Sequence, residues 1–166
     1  MVDTALVAID SLIELIVRLR TQLQTIGRRQ PGARSLIAHY GIGPLCAVII
    51  WAELGDCRRF HSSDQAVRFT GLDVTVYSSD GKRSPGRLAR QGAPELRWAL
   101  FEAAKSAART SSPDHDYYIA LRDRLGGKRP ALSVARKLAR RCYHTLRELG
   151  DEAWRVPTQP AGQKAA

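Results

Sequence analysis

The stretch YSSDGKRSPGRLARQG, Tyr77 to Gly92, sets two adjacent hydroxyls, Ser78 and Ser79, ahead of a run of cations. Lys82, Arg83, Arg87 and Arg90 follow within twelve residues, and Arg97 lies one helical turn into the next element. A serine becomes a nucleophile only when something receives its proton or stabilises its alkoxide. No Ser-His-Asp arrangement is legible, because His39, His61, His115 and His144 stand apart in the chain. Paired catalytic carboxylates are also missing, and the acids flanking His115 suit the dipole at the start of a helix. What the stretch offers is electrostatics. Guanidinium groups neutralise the non-bridging oxygens of a phosphodiester as charge develops on them, and glycines at 81, 86 and 92 let backbone approach a sugar-phosphate closely. Phosphoryl transfer through one of the two serines is the chemistry this set could do. A flexible basic loop whose serines merely face water has the same composition.

The elements that must position this loop read as helices. Ala5, Ile9, Leu12, Ile16, Leu19, Leu23 and Ile26 alternate steps of four and three, the seam of a coiled coil or of an amphipathic helix packed on its own domain. Gly27, Pro31 and Gly32 are expected to end that helix. Two apolar helical stretches then flank Gly41-Ile42-Gly43, with Pro44 at the first position of the second. This helix-hairpin-helix pattern puts Gly41 and Gly43 where backbone N–H groups could meet a phosphate, although a tight αα-corner without a ligand uses the same residues. Both readings make Leu45, Val48, Ile49 and Trp51 core. Ser62 and Gln65 form a capping box for a third helix that ends near Gly71. The β-like run LDVTVY, the serine loop and a helix opened by Pro94 follow. Ser112 and Pro113 open another helix, which closes at Gly126-Gly127.

The last helix gathers Ala135, Leu138, Ala139, Cys142, Leu146 and Leu149 on one side. Arg136, Lys137, Arg140, Arg141, His144 and Arg147 fill the other side, which reads as a phosphate-binding face. The expected fold is therefore mainly α. A coiled-coil-like helix over 1–30 precedes a helix-hairpin-helix-containing domain over 35–154 with a short β-like segment and a glycine-rich basic loop, and a disordered tail covers 155–166.

Charge points to the partner. The chain of 166 residues has a formal net charge of +10 and a pI near 10.2. Sixteen Lys and Arg against six Asp and Glu lie between Lys82 and Glu148, so the whole surplus sits in that segment. DNA or RNA is the expected partner, met by the C-terminal half. Three scattered cysteines, Cys46, Cys57 and Cys142, form no zinc motif and fit a reducing cytoplasm. No apolar run approaches the roughly 20 residues that span a bilayer, so no membrane partner is expected.

LIAHYGIGPLCAVIIWAELGDCRRFHSSDQAVRFTGL followed by YSSDGKRSPGRLARQGAPELRWALFEAA resembles the C-terminal domain of the IS one-ten class of insertion-sequence transposases, relatives of the Piv DNA invertases, over about residues 35–154. The Gly-Ile-Gly-Pro hairpin, E-x-G-D-x-x-R-F, S-x-G-K and R-x-G-x-x-x-L-R occur in order. The resemblance implies a recombinase that moves a DNA element through a serine, matched here by Ser79 before Asp80-Gly81, with Ser78 as fallback. Asp80 stands where the family often has glycine. The resemblance also implies Mg²⁺-binding acids in an N-terminal RuvC-like domain and a structured guide RNA. Residues 1–30 cannot hold a RuvC fold, so the chain is expected to be a truncated copy that binds nucleic acid without completing strand exchange. A homo-oligomer, or a full-length transposase paired through the first helix, is the expected protein partner. A non-catalytic helix-hairpin-helix module, or a modulator of a full-length transposase, is the alternative.

Overall fold

In the computed structural model, residues 2–73, 78–79, 82–83 and 91–157 are described, the two short pairs at the level of backbone. The helices are α1 (Val2–Arg29), α2 (Pro31–Leu36), α3 (Pro44–Leu54), α4 (Ser63–Phe69), α5 (Pro94–Lys105), α6 (His115–Leu125) and α7 (Arg129–Leu149). Three 3-10 turns cover Cys57–Arg59, Ser106–Ala108 and Gly150–Trp154. The described strands, β1 (Ser78–Ser79) and β2 (Lys82–Arg83), make one short antiparallel pair. The molecule is mainly helical, as the apolar periodicity predicts. Among the described residues no helix is long and apolar enough to cross a membrane.

α7 organises the body. Its apolar face buries Val134, Ala135, Leu138, Ala139, Cys142, Tyr143 and Leu146, against α5, α4, α6 and α2. Burying a large apolar side chain contributes roughly 1.5–3 kcal/mol relative to exposure. The α3 contribution to this core is Ala47, Val48, Ile50 and Leu54, whereas Leu45, Ile49 and Trp51 are half-buried. The register differs from the sequence expectation because α3 is apolar nearly all round, which leaves its inward face undetermined by pattern. Burial pushes the Cys57 thiol up to about 11 and the Cys142 thiol to about 12, so both act as small apolar side chains rather than reactive groups.

α4 starts as its capping box predicts. The Ser62 Oγ accepts from the Gln65 backbone N–H at 3.2 Å, and the Gln65 Oε1 accepts from the His61 backbone N–H at 2.7 Å. Pro94 opens α5 and Pro44 opens α3, since neither position needs the missing N–H. α6 begins at His115, two residues later than Pro113 suggests, because Ser112 Oγ accepts from the Asp114 N–H and holds the preceding residues in a turn.

Two boundaries near the N-terminus depart further. α1 does not stop at Gly27 but continues to Arg29, and Pro31 opens α2 instead of breaking helical structure. The cause is packing. A Cβ at Gly27 would lie closer than 3.0 Å to the Pro44 carbonyl oxygen, so glycine lets α1 rest on the start of α3. Along the rest of α1 the predicted seam is uncovered: Ile9, Leu12, Ile16, Leu19, Leu23 and Ile26 are all exposed. Packing of this helix along its own domain is therefore not what the seam does in the monomer.

α2 and α3 flank a turn at residues 37–43, and α2 ends before Ile37 rather than running up to Gly41. The β-like segment lies outside the described residues at 74–77, as do Arg87, Arg90 and residues 158–166 of the expected tail.

Candidate nucleic-acid interface and serine hairpin

The segment carrying the serines rises from a closed stem. α4 ends at Thr70, whose buried Oγ1 donates to the Val67 carbonyl at 2.6 Å and accepts from the Leu72 N–H at 3.2 Å. Gly71 and Gly92 follow and precede the segment with positive φ, +69° and +111°. They face each other's strands of backbone: a Cβ on Gly71 would lie closer than 3.0 Å to the Gln91 carbonyl, and one on Gly92 equally close to the Phe69 carbonyl. Two arginines lock the joint. Arg97 donates to the Gly92 carbonyl at 2.7 Å, and Arg136 reaches from α7 to the Leu72 carbonyl, also at 2.7 Å. Leu72 itself is buried in the core.

Between these ends, β1 and β2 pair with Ser78 opposite Arg83 and Ser79 opposite Lys82. Directly opposed residues in an antiparallel pair stand about 4.5–5.5 Å apart. The backbone thus brings the two candidate hydroxyl residues and two of the candidate cations to one place, while Arg97 sits in the stem.

α7 presents a different picture. Each of its five candidate cations reaches a partner in the same chain. Arg140 pairs with Asp64 at 2.9 Å, and Arg147 donates to the Phe60 carbonyl and to the Tyr143 hydroxyl, both at 2.7 Å. Arg141 forms a two-point fork on Asp114, and Lys137 meets the same carboxylate at 2.8 Å. Asp114 is only 4% exposed. The Arg141 hydrogen bonds, and those of Lys137 after them, hold its carboxyl below the usual aspartate range against the opposing effect of burial. Besides standing at the N-cap of α6, it is a tertiary clamp tying the α6 entrance to α7. No local spacing signals it, since its partners lie across the fold in sequence.

Gly41 and Gly43 separate as well. Gly41 has φ +88° and abuts α5, where a Cβ would lie closer than 3.0 Å to Ser106 Oγ and the Ala103 carbonyl. Gly43 is the N-cap of α3 at φ −82°, exposed, with open space around it. Gly41 is needed for that packing whether or not a phosphate binds.

Asp114→Asn is expected to destabilise the chain by about 2–3 kcal/mol, the scale of hydrogen bonds to charged groups. This lies below the roughly 3–5 kcal/mol for breaking a fully buried pair, because Arg141 and Lys137 remain half-solvated. Since the folded-state pKa is depressed, the wild-type advantage should be complete above the ordinary aspartate pKa of about 3.9 and vanish as pH falls through the lower folded value. Thermal unfolding at pH 7 and pH 2.5 checks this. A difference of equal size at both pH values would overturn the assignment.

Residues 33–119, from α2 through the serine hairpin into α6, match the model of the "Transposase IS116/IS110/IS902 family". The chain belongs to this transposase family. It is 32% identical over 124 residues to a Pseudomonas aeruginosa protein described as "Probable family 20 transposase", covering 75% of this chain and 37% of that one. It is 27% identical over 122 residues to the "Transposase for insertion sequence element IS1111A" of Coxiella burnetii, covering 71% and 34%. The chain thus spans about a third of the length of the curated relatives it matches. Among its described residues no group of three or more His, Cys, Asp or Glu could hold a metal ion. The Mg²⁺ that the resemblance attaches to a RuvC-like part thus finds no ligand set among them.

Proposed function

We propose that this chain is the DNA-binding, serine-bearing domain of an insertion-sequence transposase, acting in DNA transposition together with a RuvC-like partner. In this reading the Ser79 Oγ attacks a phosphodiester phosphorus. A serine–phosphate ester forms as the bond from phosphorus to the sugar oxygen breaks, and the proton given up by the serine is balanced by the one the leaving oxygen takes from water, while Lys82, Arg83 and Arg97 offset the charge that develops on the phosphoryl oxygens. Ser78 is the second candidate nucleophile. The observation that carries the reading is the register of the hairpin, Ser79 opposite Lys82 and Ser78 opposite Arg83, on a stem built of Gly71, Gly92, Arg97 and Arg136.

Phosphate contacts at Gly41, Gly43, Arg87, Arg90 and the solvent-facing sides of Lys137, Arg140, Arg141 and Arg147 belong to the same proposal. So does a structured guide RNA as a further ligand. The exposed seam of α1 favours pairing with a second copy or with a full-length transposase, because six large apolar side chains on one helix gain by leaving water.

Binding is tested by titrating DNA duplex with the full chain across salt. With five or more phosphates contacted, log K should fall against log salt with a slope of about −4 or steeper, several hundred-fold between 50 and 200 mM. A slope shallower than about −1 would remove nucleic acid as the ligand.

A further inference from the structure

The net charge outside Lys82–Glu148 is zero by sequence, yet the fold does not distribute it evenly. The acids of the first helix, Asp3, Asp10 and Glu14, lie along its projecting part, while Arg28 and Arg29 fall in its last turn. There they meet Arg34 of α2 and Arg155, just beyond the Gly150–Trp154 turn, around an open cleft of about 790 Å³. Glu152 is the one carboxylate among the lining residues, and it meets Arg155 only at 3.5 Å.

We infer that this cleft, at the joint between α1 and the helical body, is a second nucleic-acid contact that grips the sugar-phosphate backbone through Arg28, Arg29 and Arg34. Three observations converge on it. The first is charge: four guanidinium groups face one acid. Guanidinium is the side chain best matched to a phosphate by two parallel hydrogen bonds.

The second is availability. Among the described residues Arg28, Arg29 and Arg34 have no hydrogen-bond or ion-pair partner for their side chains, and all three are exposed. The five candidate cations of α7, by contrast, are all engaged within the chain. Like charges held close without counter-charge repel one another, and a polyanion relieves that repulsion.

The third is a lining residue held in place, Gln30. Gln30 is buried, and its Nε2 donates to the Ala153 carbonyl at 3.1 Å; Trp51 Nε1 donates to the same oxygen at 2.9 Å. The Trp51 and Trp154 rings pack against each other at a tilt of 31°, with centroids 4.8 Å apart. Gly32 admits this approach, since a Cβ there would lie closer than 3.0 Å to both the Trp51 ring and the Ala153 carbonyl. Gln30 therefore gives the cleft a fixed lining residue beside the arginines, which lowers the cost of ordering that part of it on a ligand.

This inference rests on the nucleic-acid-binding reading but not on the serine chemistry. Its test is the full chain carrying Arg28→Gln, Arg29→Gln and Arg34→Gln, titrated with a DNA duplex and with an RNA stem-loop at several salt concentrations. A second triple variant, Arg109→Gln, Arg124→Gln and Lys128→Gln, removes the same charge elsewhere. The cleft variant should lose at least about tenfold in affinity for one or both polymers, and its salt slope should shallow by about 3, while the control variant changes by less than threefold. A loss confined to DNA or to RNA identifies the natural occupant. Equal losses in the two variants would reduce the effect to net charge and overturn the cleft. Unchanged binding in a folded cleft variant would also overturn it and leave the proposed function standing. A wild-type chain that binds neither polymer would overturn both.

Discussion

Ser79→Ala is expected to leave nucleic-acid affinity within twofold of wild type and to abolish recombination in an assay that supplies a RuvC-like partner. The two readouts separate because the hydroxyl contributes one contact among many to binding, whereas no other atom of residue 79 can form a phosphate ester. Removal of an enzyme's nucleophile costs on the order of 10⁴-fold or more in turnover, so product should fall beneath detection. Ser78→Ala is the paired control. The two residues occupy successive positions on β1 and pair with different residues of β2. Only one of the two replacements should abolish recombination. Full recombination by the Ser79 variant and none by the Ser78 variant would reassign the nucleophile. Full recombination by both would remove the hairpin from the chemistry.

The second large effect concerns the stem. Gly92→Ala is expected to lower stability by about 2–5 kcal/mol. A φ of +111° lies in territory that residues with a Cβ enter at a cost of about 1–3 kcal/mol. The added methyl would also collide with the Phe69 backbone carbonyl, and forced repacking adds roughly 1–3 kcal/mol. At about 2–4 °C per kcal/mol for a chain of this size, the melting temperature should fall by roughly 5–15 °C. Gly71→Ala should behave alike, because its Cβ would meet the Gln91 carbonyl and crowd the Arg97 guanidinium. Gly43→Ala provides the contrast. With φ −82° and open surroundings, it should change stability by no more than about 1 kcal/mol. Differential scanning fluorimetry orders the three. A Gly92 variant as stable as the Gly43 variant would show that the stem is not closed as described.

What local chemistry dictates was legible in the sequence, and what depends on distant partners was not. Ser62 and Gln65, Pro94 and the apolar side of α7 announce themselves because capping, the missing proline N–H and helical periodicity act over a few residues. The same periodicity says nothing about where long polar side chains go once they leave the helix. Arg136, Arg140, Arg141 and Arg147 read as one solvent-facing stripe, yet they stretch to Leu72, Asp64, Asp114 and Phe60. Gly27, Pro31 and Gly32 read as helix breakers because their intrinsic tendencies are poor. Tertiary contact with Pro44 and Trp51 overrides those tendencies and makes glycine the residue that fits. Of the candidate site, the serines and the nearby cations were visible as composition, while the glycine crossing beneath them depends on how α4 and α5 meet. The arginines of the cleft escaped notice because charge summed along a chain is blind to which charges the fold gathers.

The projecting first helix also sets a length. At 1.5 Å per residue, the 28 residues of α1 extend about 42 Å, close to the rise of twelve base pairs of duplex. Two copies joined antiparallel along that rod would hold their helical bodies at its far ends, while a parallel pair would set them side by side. The direction of pairing would thus fix the distance between the two bodies.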